Sequence, residues 1–206
     1  MKILFTSDIH NSKTLEKEIK KEAENADMIV IAGDLVDYGG NFDLNLFEID
    51  KDFYIIPGNN DPPEFIERLT EQYSNVHSIH KKRIDFGKFN LVGMGFATVG
   101  PYFISEDEYN EIEPLIDSNT ILVTHEHPDG IDFIPGSVRL RDILENKELL
   151  LHIHGHIHEL GGEQFIIGNN LSINVAKTVT LIDIDKWIEN KEKFLNELKE
   201  NQNETI

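Results

Sequence analysis

Acidic, imidazole and amide side chains recur in this chain wherever an apolar run stops. Asp8 and His10 follow the run at 2–7, two residues apart, so in extended backbone they project to one side. Asp34 follows the run at 27–32, in Gly33-Asp34-Leu35-Val36-Asp37, and Asn59 and Asn60 follow 53–57, in Gly58-Asn59-Asn60-Asp61. His125 and His127 follow 120–124, and His154, His156 and His158 follow 149–153. Carboxylate, imidazole and amide oxygen together suit Mn²⁺, Fe²⁺ or Zn²⁺ better than Mg²⁺ or Ca²⁺, which prefer all-oxygen shells. Two cations about 3.5–4 Å apart need a shared ligand, and a carboxylate has two oxygens to offer. Asp34, alone at its strand end and midway in the series, is the expected bridge. Taken singly, each residue has an ordinary explanation. An Asp after a strand forms a turn, Asp61 before two prolines caps a helix, a lone His sits on the surface, and Gly33 and Gly58 permit tight turns. Five strand ends that all carry ligand types argue against coincidence.

The elements that must position these residues follow from periodicity and punctuation. Leu15, Ile19, Ala23 and Ala26 recur at helical spacing in 12–26, with Asn11 or Ser12 as N-cap. Asp61-Pro62-Pro63-Glu64 is expected to open a helix with proline at its first position. Short strands and turns are expected over 76–96, a helix over 106–116 and another over 138–147. A hairpin is expected around Gly168-Asn169-Asn170, and a last strand over 178–184. A C-terminal helix places Trp187, Ile188, Phe194, Leu195 and Leu198 on one face. That face is expected to pack on the sheet, with a homo-oligomer contact as the alternative. Early strand–helix–strand units followed by hairpins predict a layered α/β sandwich. With no repeat or linker, 1–206 reads as a single domain.

Composition narrows the function classes. A net charge of −19 speaks against a protein that coats nucleic acid, which needs a basic footprint, but not against a small phosphate substrate drawn to bound cations. No apolar run reaches the roughly 18 residues of a membrane helix. The chain has no cysteine and begins in a strand-like run without a signal-peptide pattern, so a cytoplasmic location is expected. The Asn-x-Ser/Thr triplets at Asn170 and Asn203 are read as chance matches.

Asp8-Ile9-His10, Gly33-Asp34-Leu35-Val36-Asp37, Gly58-Asn59-Asn60-Asp61, Thr124-His125 and Gly155-His156-Ile157-His158 resemble, in order, the five motifs of calcineurin-like metallophosphoesterases. The resemblance implies a four-layer αββα sandwich with a dinuclear centre at the strand ends. Asp8, His10 and His158 would hold one metal and Asn59, His125 and His156 the other, with Asp34 between them. Asp37 and Asp61 match positions that orient ligands. Two divalent ions are implied, with Mn²⁺ favoured and Fe²⁺, Zn²⁺ or Ni²⁺ as alternatives. His127 and His154 fall outside the ligand positions and are expected to line the cleft or hydrogen-bond to ligands. One departure matters. Many relatives read Gly-Asn-His-Asp where this chain has Asn60, and that histidine is thought to protonate the leaving group. Asn60 can donate a hydrogen bond but cannot transfer a proton near neutral pH. Relatives lacking the histidine look like phosphodiesterases of modest activity, and some serve as binding scaffolds. Hydrolysis of a small phosphodiester, with Asp34, Asn59, Asn60 and Asp61 in the catalytic machinery, is therefore expected. The alternative is a metal-binding interaction module with little or no catalysis. Arg139 and Arg141 are read either as phosphate contacts or as solvated helix charges.

Overall fold

The computed structural model describes residues 1–131 and 133–203, with side chains as far as residue 200. Sheet one has the order β11-β1-β2-β3-β4, built from β1 (Lys2–Thr6), β2 (Met28–Ile31), β3 (Asp52–Ile55), β4 (Val76–Ser78) and β11 (Thr180–Asp183). Sheet two has the order β5-β6-β7-β8-β10-β9, built from β5 (Arg83–Asp85), β6 (Asn90–Met94), β7 (Thr120–Thr124), β8 (Leu151–His154), β9 (Gln164–Ile167) and β10 (Asn170–Asn174). The central strands β1 to β4 run parallel, as do β6, β7, β8 and β10, while β11, β5 and β9 are antiparallel edges.

Three apolar layers hold the sheets and helices together. In β1 and β2 successive side chains alternate between two of them. Ile3, Phe5, Met28 and Val30 enter the core between the sheets, whereas Leu4, Ile29 and Ile31 face the outer helices. Those helices are α1 (Lys13–Ala23), which presents Leu15, Ile19 and Ala23, and α2 (Phe65–Gln72), which presents Phe65, Ile66 and Leu69. Across the molecule Leu91, Ile121 and Val123 join the central core. Val92, Met94 and Leu122 pack on Tyr109 and Ile112 of α3 (Tyr109–Ile112) and on Leu140, Ile143 and Leu144 of α4 (Val138–Asn146). Strands covered on both faces read as unbroken apolar runs, and the result is the four-layer αββα sandwich expected from the sequence. Helix α5 (Ile184–Asn203) closes the central core at one side with Ile184, Leu195, Trp187, Phe194 and Leu198. Ile188, expected on that face, is 38% exposed and does not join that core.

Several expected elements shift. Segment 106–116 is not one helix: a 3₁₀ turn at Glu106–Glu108, the single turn of α3 and a second 3₁₀ turn at Glu113–Leu115 share it. Pro114 lacks the N–H that a continuous helix would need. Helix α2 begins at Phe65, after both prolines, because Pro63 disfavours helical backbone at Pro62. Its N-cap is Glu64, and Asp61 does not cap it. Asn170, read as a chance glycosylation triplet, is buried, and its amide donates to Leu144 O and Lys147 O. Among the described residues no helix is long and apolar enough to cross a membrane.

Candidate metal centre

The C-terminal ends of β1, β2, β3, β7 and β8 converge on one spot. The backbone there leaves the extended region: Asp8, His10, Asp34 and His156 adopt φ of 56°, 46°, 53° and 74°. The pleat that would have put residues 8 and 10 on one side is therefore absent, and left-handed turns bring the two together instead. Such conformations cost roughly 1–2 kcal/mol per non-glycine residue and persist where surrounding structure enforces them. Two glycines make the approach close enough. A β-carbon on Gly58 would collide with the Asp34 carboxylate, and one on Gly155 with Ser7 and the Asp8 carboxylate.

Three ligand atoms meet on one side. His158 Nε2 lies 3.1 Å from Asp8 Oδ1 and 3.2 Å from His10 Nε2. The other Asp8 oxygen, Oδ2, accepts the His156 backbone N–H at 2.9 Å. A second set forms around Asn59, whose Oδ1 lies 2.9 Å from His125 Nε2 and 2.9 Å from His156 Nδ1. Between the sets sits Asp34, its Oδ2 3.6 Å from His10 Nε2 and 3.5 Å from His125 Nε2. Among the described residues two groups have the proximity to hold a cation, Asp8–His10–His158 and Asp8–Asp34–His125. All seven residues expected as ligands are thus brought together.

Neighbouring groups fix their orientation. His125 Nδ1 donates to Ala32 O at 2.8 Å, which aims Nε2 at Asn59 and Asp34. The Asp61 carboxylate accepts from the N–H groups of Gly58, Leu35 and Val36 at 2.8, 3.0 and 3.2 Å, tying the turn after β3 to the turn after β2. Asn60 does not face open solvent with its amide. Its backbone N–H reaches Asp34 Oδ1 at 2.8 Å and its Nδ2 reaches Asp34 Oδ2 at 2.6 Å. Asp37 Oδ1 lies 3.0 Å from His10 Nδ1, off the hydrogen-bonding direction.

The electrostatics mark the cluster as built for positive charge. Asp8 and Asp34 are buried, and among the described residues no Lys or Arg pairs with either; their ionic neighbours are imidazoles. Burial pushes the Asp8 carboxyl up, but His10, His158 and the charge of His125 outweigh it and hold it well below the usual range. Asp34 is likewise raised by burial and brought down further by His125. Burial lowers His125, yet the Asp34 charge prevails and takes it up to about 10. His156, half-buried and facing the His125 charge, is lowered by desolvation first and falls to about 4. Asp61, buried and near the Asp34 charge, is pushed up to about 7. Buried charges of this kind are paired or coordinate metals, and a mixed carboxylate, imidazole and amide set fits a divalent transition ion.

The extra histidines divide. His127 is buried, stacks on His156 at 5.9 Å and donates from Nε2 to Ile134 O at 3.2 Å. His154, still in β8, shares a pleated face with His152 and stacks on it at 5.3 Å, so it does not compete with His158. Both arginines are committed elsewhere. Arg139 engages Glu113, Asp142 and Asn110, and Arg141 engages Glu145 and Asp129 O. The reading of these two as phosphate contacts gives way to the solvated, ion-paired one. Sequence reasoning passed over Glu126. Buried between two cluster histidines, it accepts from Thr98 N and Thr98 Oγ1 on one oxygen and from Tyr109 OH, at 3.2 Å, on the other. An acid flanked by His125 and His127 at a strand end was the available signal.

Comparison with known proteins supplies the class. The family model of calcineurin-like phosphoesterases matches residues 1–160, and the chain belongs to that family. Membership implies divalent metal ions and a phosphoester-cleaving hydrolase. A curated relative, the probable glycerophosphodiester phosphodiesterase GpdQ of Arcobacter nitrofigilis, is 27% identical over 156 residues, 65% of this chain and 57% of that protein. The chain therefore spans little more than half the length of that relative. The solved structure of TT1561 from Thermus thermophilus superposes with a TM-score of 0.67 at 16% identity, covering 89% of this chain and 98% of the other. A structure described as a novel archaeal phosphodiesterase gives 0.55 at 17% identity, over 90% and 95%. At these identities the two show a shared fold.

Proposed function

We propose that this chain hydrolyses small phosphodiesters at a dinuclear metal centre. Asp8, His10 and His158 hold one cation, Asn59, His125 and His156 the other, and Asp34 bridges. The observation that carries this reading is the position of Asp34 Oδ2, nearly equidistant from His10 Nε2 and His125 Nε2. Asp8 belongs to both proximity groups, but its Oδ2 is occupied by the His156 N–H, which leaves Oδ1 to the His10–His158 side. Mn²⁺ is the favoured ion, with Fe²⁺, Zn²⁺ or Ni²⁺ as alternatives. Bound, such ions polarise phosphoryl oxygens and lower the pKa of water. The chain's own residues do the positioning. Asn60 holds both Asp34 oxygens, Asp61 locks the two turns that carry Asp34 and Asn59, and Ala32 O fixes the His125 ring. Because Asn60 offers no proton, the reaction relies on charge stabilisation rather than on acid catalysis from that position, which favours diesters over monoesters. The glycerophosphodiester relative supports the same substrate class. We read 1–206 as one catalytic domain, since β9, β10 and β11, beyond residue 160, complete both sheets; a cytoplasmic location is proposed separately, from the lack of cysteine.

Asn60 also keeps a second reading in view, a metal-binding interaction module. The Mn²⁺-loaded protein, assayed with 4-nitrophenyl phosphate and bis(4-nitrophenyl) phosphate, separates the two. Faster turnover of the diester is expected. Metal binding with turnover of neither ester would assign the module instead.

A further inference from the structure

Two loops from different sheets meet beside the cluster. The loop after β2 carries Asp37, 3.0 Å from His10, and then Tyr38, a residue 64% exposed. The loop after β6 runs from Ala97 to Phe103. Its Gly100 packs so closely on Asn59 that a β-carbon there would collide with the amide, and its Tyr102 N–H donates to Asn59 O at 3.1 Å. The Tyr38 and Tyr102 rings lie 5.8 Å apart, tilted by 54°, and so join the two loops on the flank of Asn59. Both loops are tied to the scaffold. Glu126 clamps Thr98 through its backbone and hydroxyl, and Asn11 Nδ2 donates to Asn41 O at 2.9 Å beyond Tyr38. Neither 37–41 nor 97–103 contains a Lys or Arg, and nor does 128–137, the loop after His127. A substrate seated here meets the metal centre on one side and, on these loops, the Tyr38 and Tyr102 rings beside the acidic Asp37, while the exposed Lys177 is the cation near His10. Nothing on these loops would neutralise a second phosphate.

We propose that Tyr38 and Tyr102 form a stacking platform for a flat ring on the substrate, so that the preferred substrates are phosphodiesters bearing a nucleobase or aryl group rather than glycerol or alkyl diesters. This rests on the phosphodiesterase reading and names its substrate class. The tilt of the pair leaves the outer face of Tyr38 open, and a ring stacked on an aromatic side chain commonly strengthens binding by about tenfold or more.

The test uses two esters with the same reacting group, the methyl ester of adenosine 5′-phosphate and the methyl ester of ribose 5-phosphate, with the Mn²⁺-loaded full chain. KM is expected to be at least about tenfold lower for the adenosine ester. In the Tyr38→Ala/Tyr102→Ala variant the gap is expected to close to within about twofold, while Tyr38→Phe/Tyr102→Phe keeps it. Tyr38→Ala alone, at an exposed position, serves if the double variant does not fold. Equal KM values in the wild type, or a gap that survives both alanine variants, overturns the platform while leaving the phosphodiesterase reading intact. Failure to hydrolyse either ester or bis(4-nitrophenyl) phosphate overturns that reading, and the platform with it.

Discussion

The two ends of the second sheet both bury polar side chains, and they do so in opposite ways. At the N-terminal ends of β6, β7 and β10, each buried group has a conventional partner. Thr120 Oγ1 donates to Asn90 Oδ1 at 2.9 Å, Asn90 Nδ2 donates to Asp117 Oδ1 at 3.1 Å, and Asp117 is balanced by Arg83 at 2.7 Å. Asn170 Oδ1 accepts the Leu149 N–H at 2.7 Å. At the C-terminal ends the Asp8 and Asp34 carboxylates pair with imidazoles and amides and, among the described residues, with no Lys or Arg. The left-handed residues Phe96, His156 and Lys177 leave β6, β8 and β10 there, alongside Asp8 and Asp34 from the first sheet. One end is a closed polar network that seals a fold. The other has acceptors in excess and strained backbone that holds them together, the combination expected where a cation is to be bound.

Substitutions at the two ends should separate these roles. The largest effect is expected at Asp34→Asn. Loss of diester hydrolysis should exceed the ~10–100-fold that follows removal of a group outside the ligand set, and the metal content, read by elemental analysis, should fall with it. Full activity in this variant would collapse the distinction between the ends. Next comes pH. In the metal-free protein the Asp34 charge is expected to keep His125 protonated, pushed up to about 10, whereas a metal needs its neutral nitrogen; Asp8 and Asp34, held low, have no proton to release. Metal affinity should therefore fall as pH drops below 10, by about tenfold per unit for each proton displaced. Calorimetry in two buffers of different ionisation enthalpy counts those protons, and a count of zero would contradict the assignment. Asp61→Asn, which disturbs three backbone contacts but no expected ligand, should weaken metal binding by ~10–100-fold, measured by competition with a chelator. At the other end, Asn90→Ala should cost ~1–3 kcal/mol of stability in denaturant unfolding and leave the kinetic constants of the folded protein unchanged.

Much of the architecture was legible because it is written in runs. Strands covered on both faces show as unbroken apolar stretches, and the ligand types sit where those stretches stop, so a layered α/β sandwich and the candidate strand ends could be read from residue order, while the four layers and the choice of seven among the candidates came from the family resemblance. What escaped depended on local backbone. The 106–116 segment broke at Pro114, Asp61 turned inward to three N–H groups instead of capping α2, and Asp8 and His10 converged through left-handed turns rather than through the pleat. Glu126 escaped because its partners, Thr98 and Tyr109, lie 28 and 17 residues away and no local pattern joins them.

Anomalous diffraction from crystals grown with Mn²⁺ tests the central claim most directly. Two peaks about 3.5–4 Å apart are expected. One should lie among Asp8, His10 and His158, the other among Asn59, His125 and His156, with Asp34 touching both. A single peak remote from Asp34, or none at saturating Mn²⁺, would contradict it.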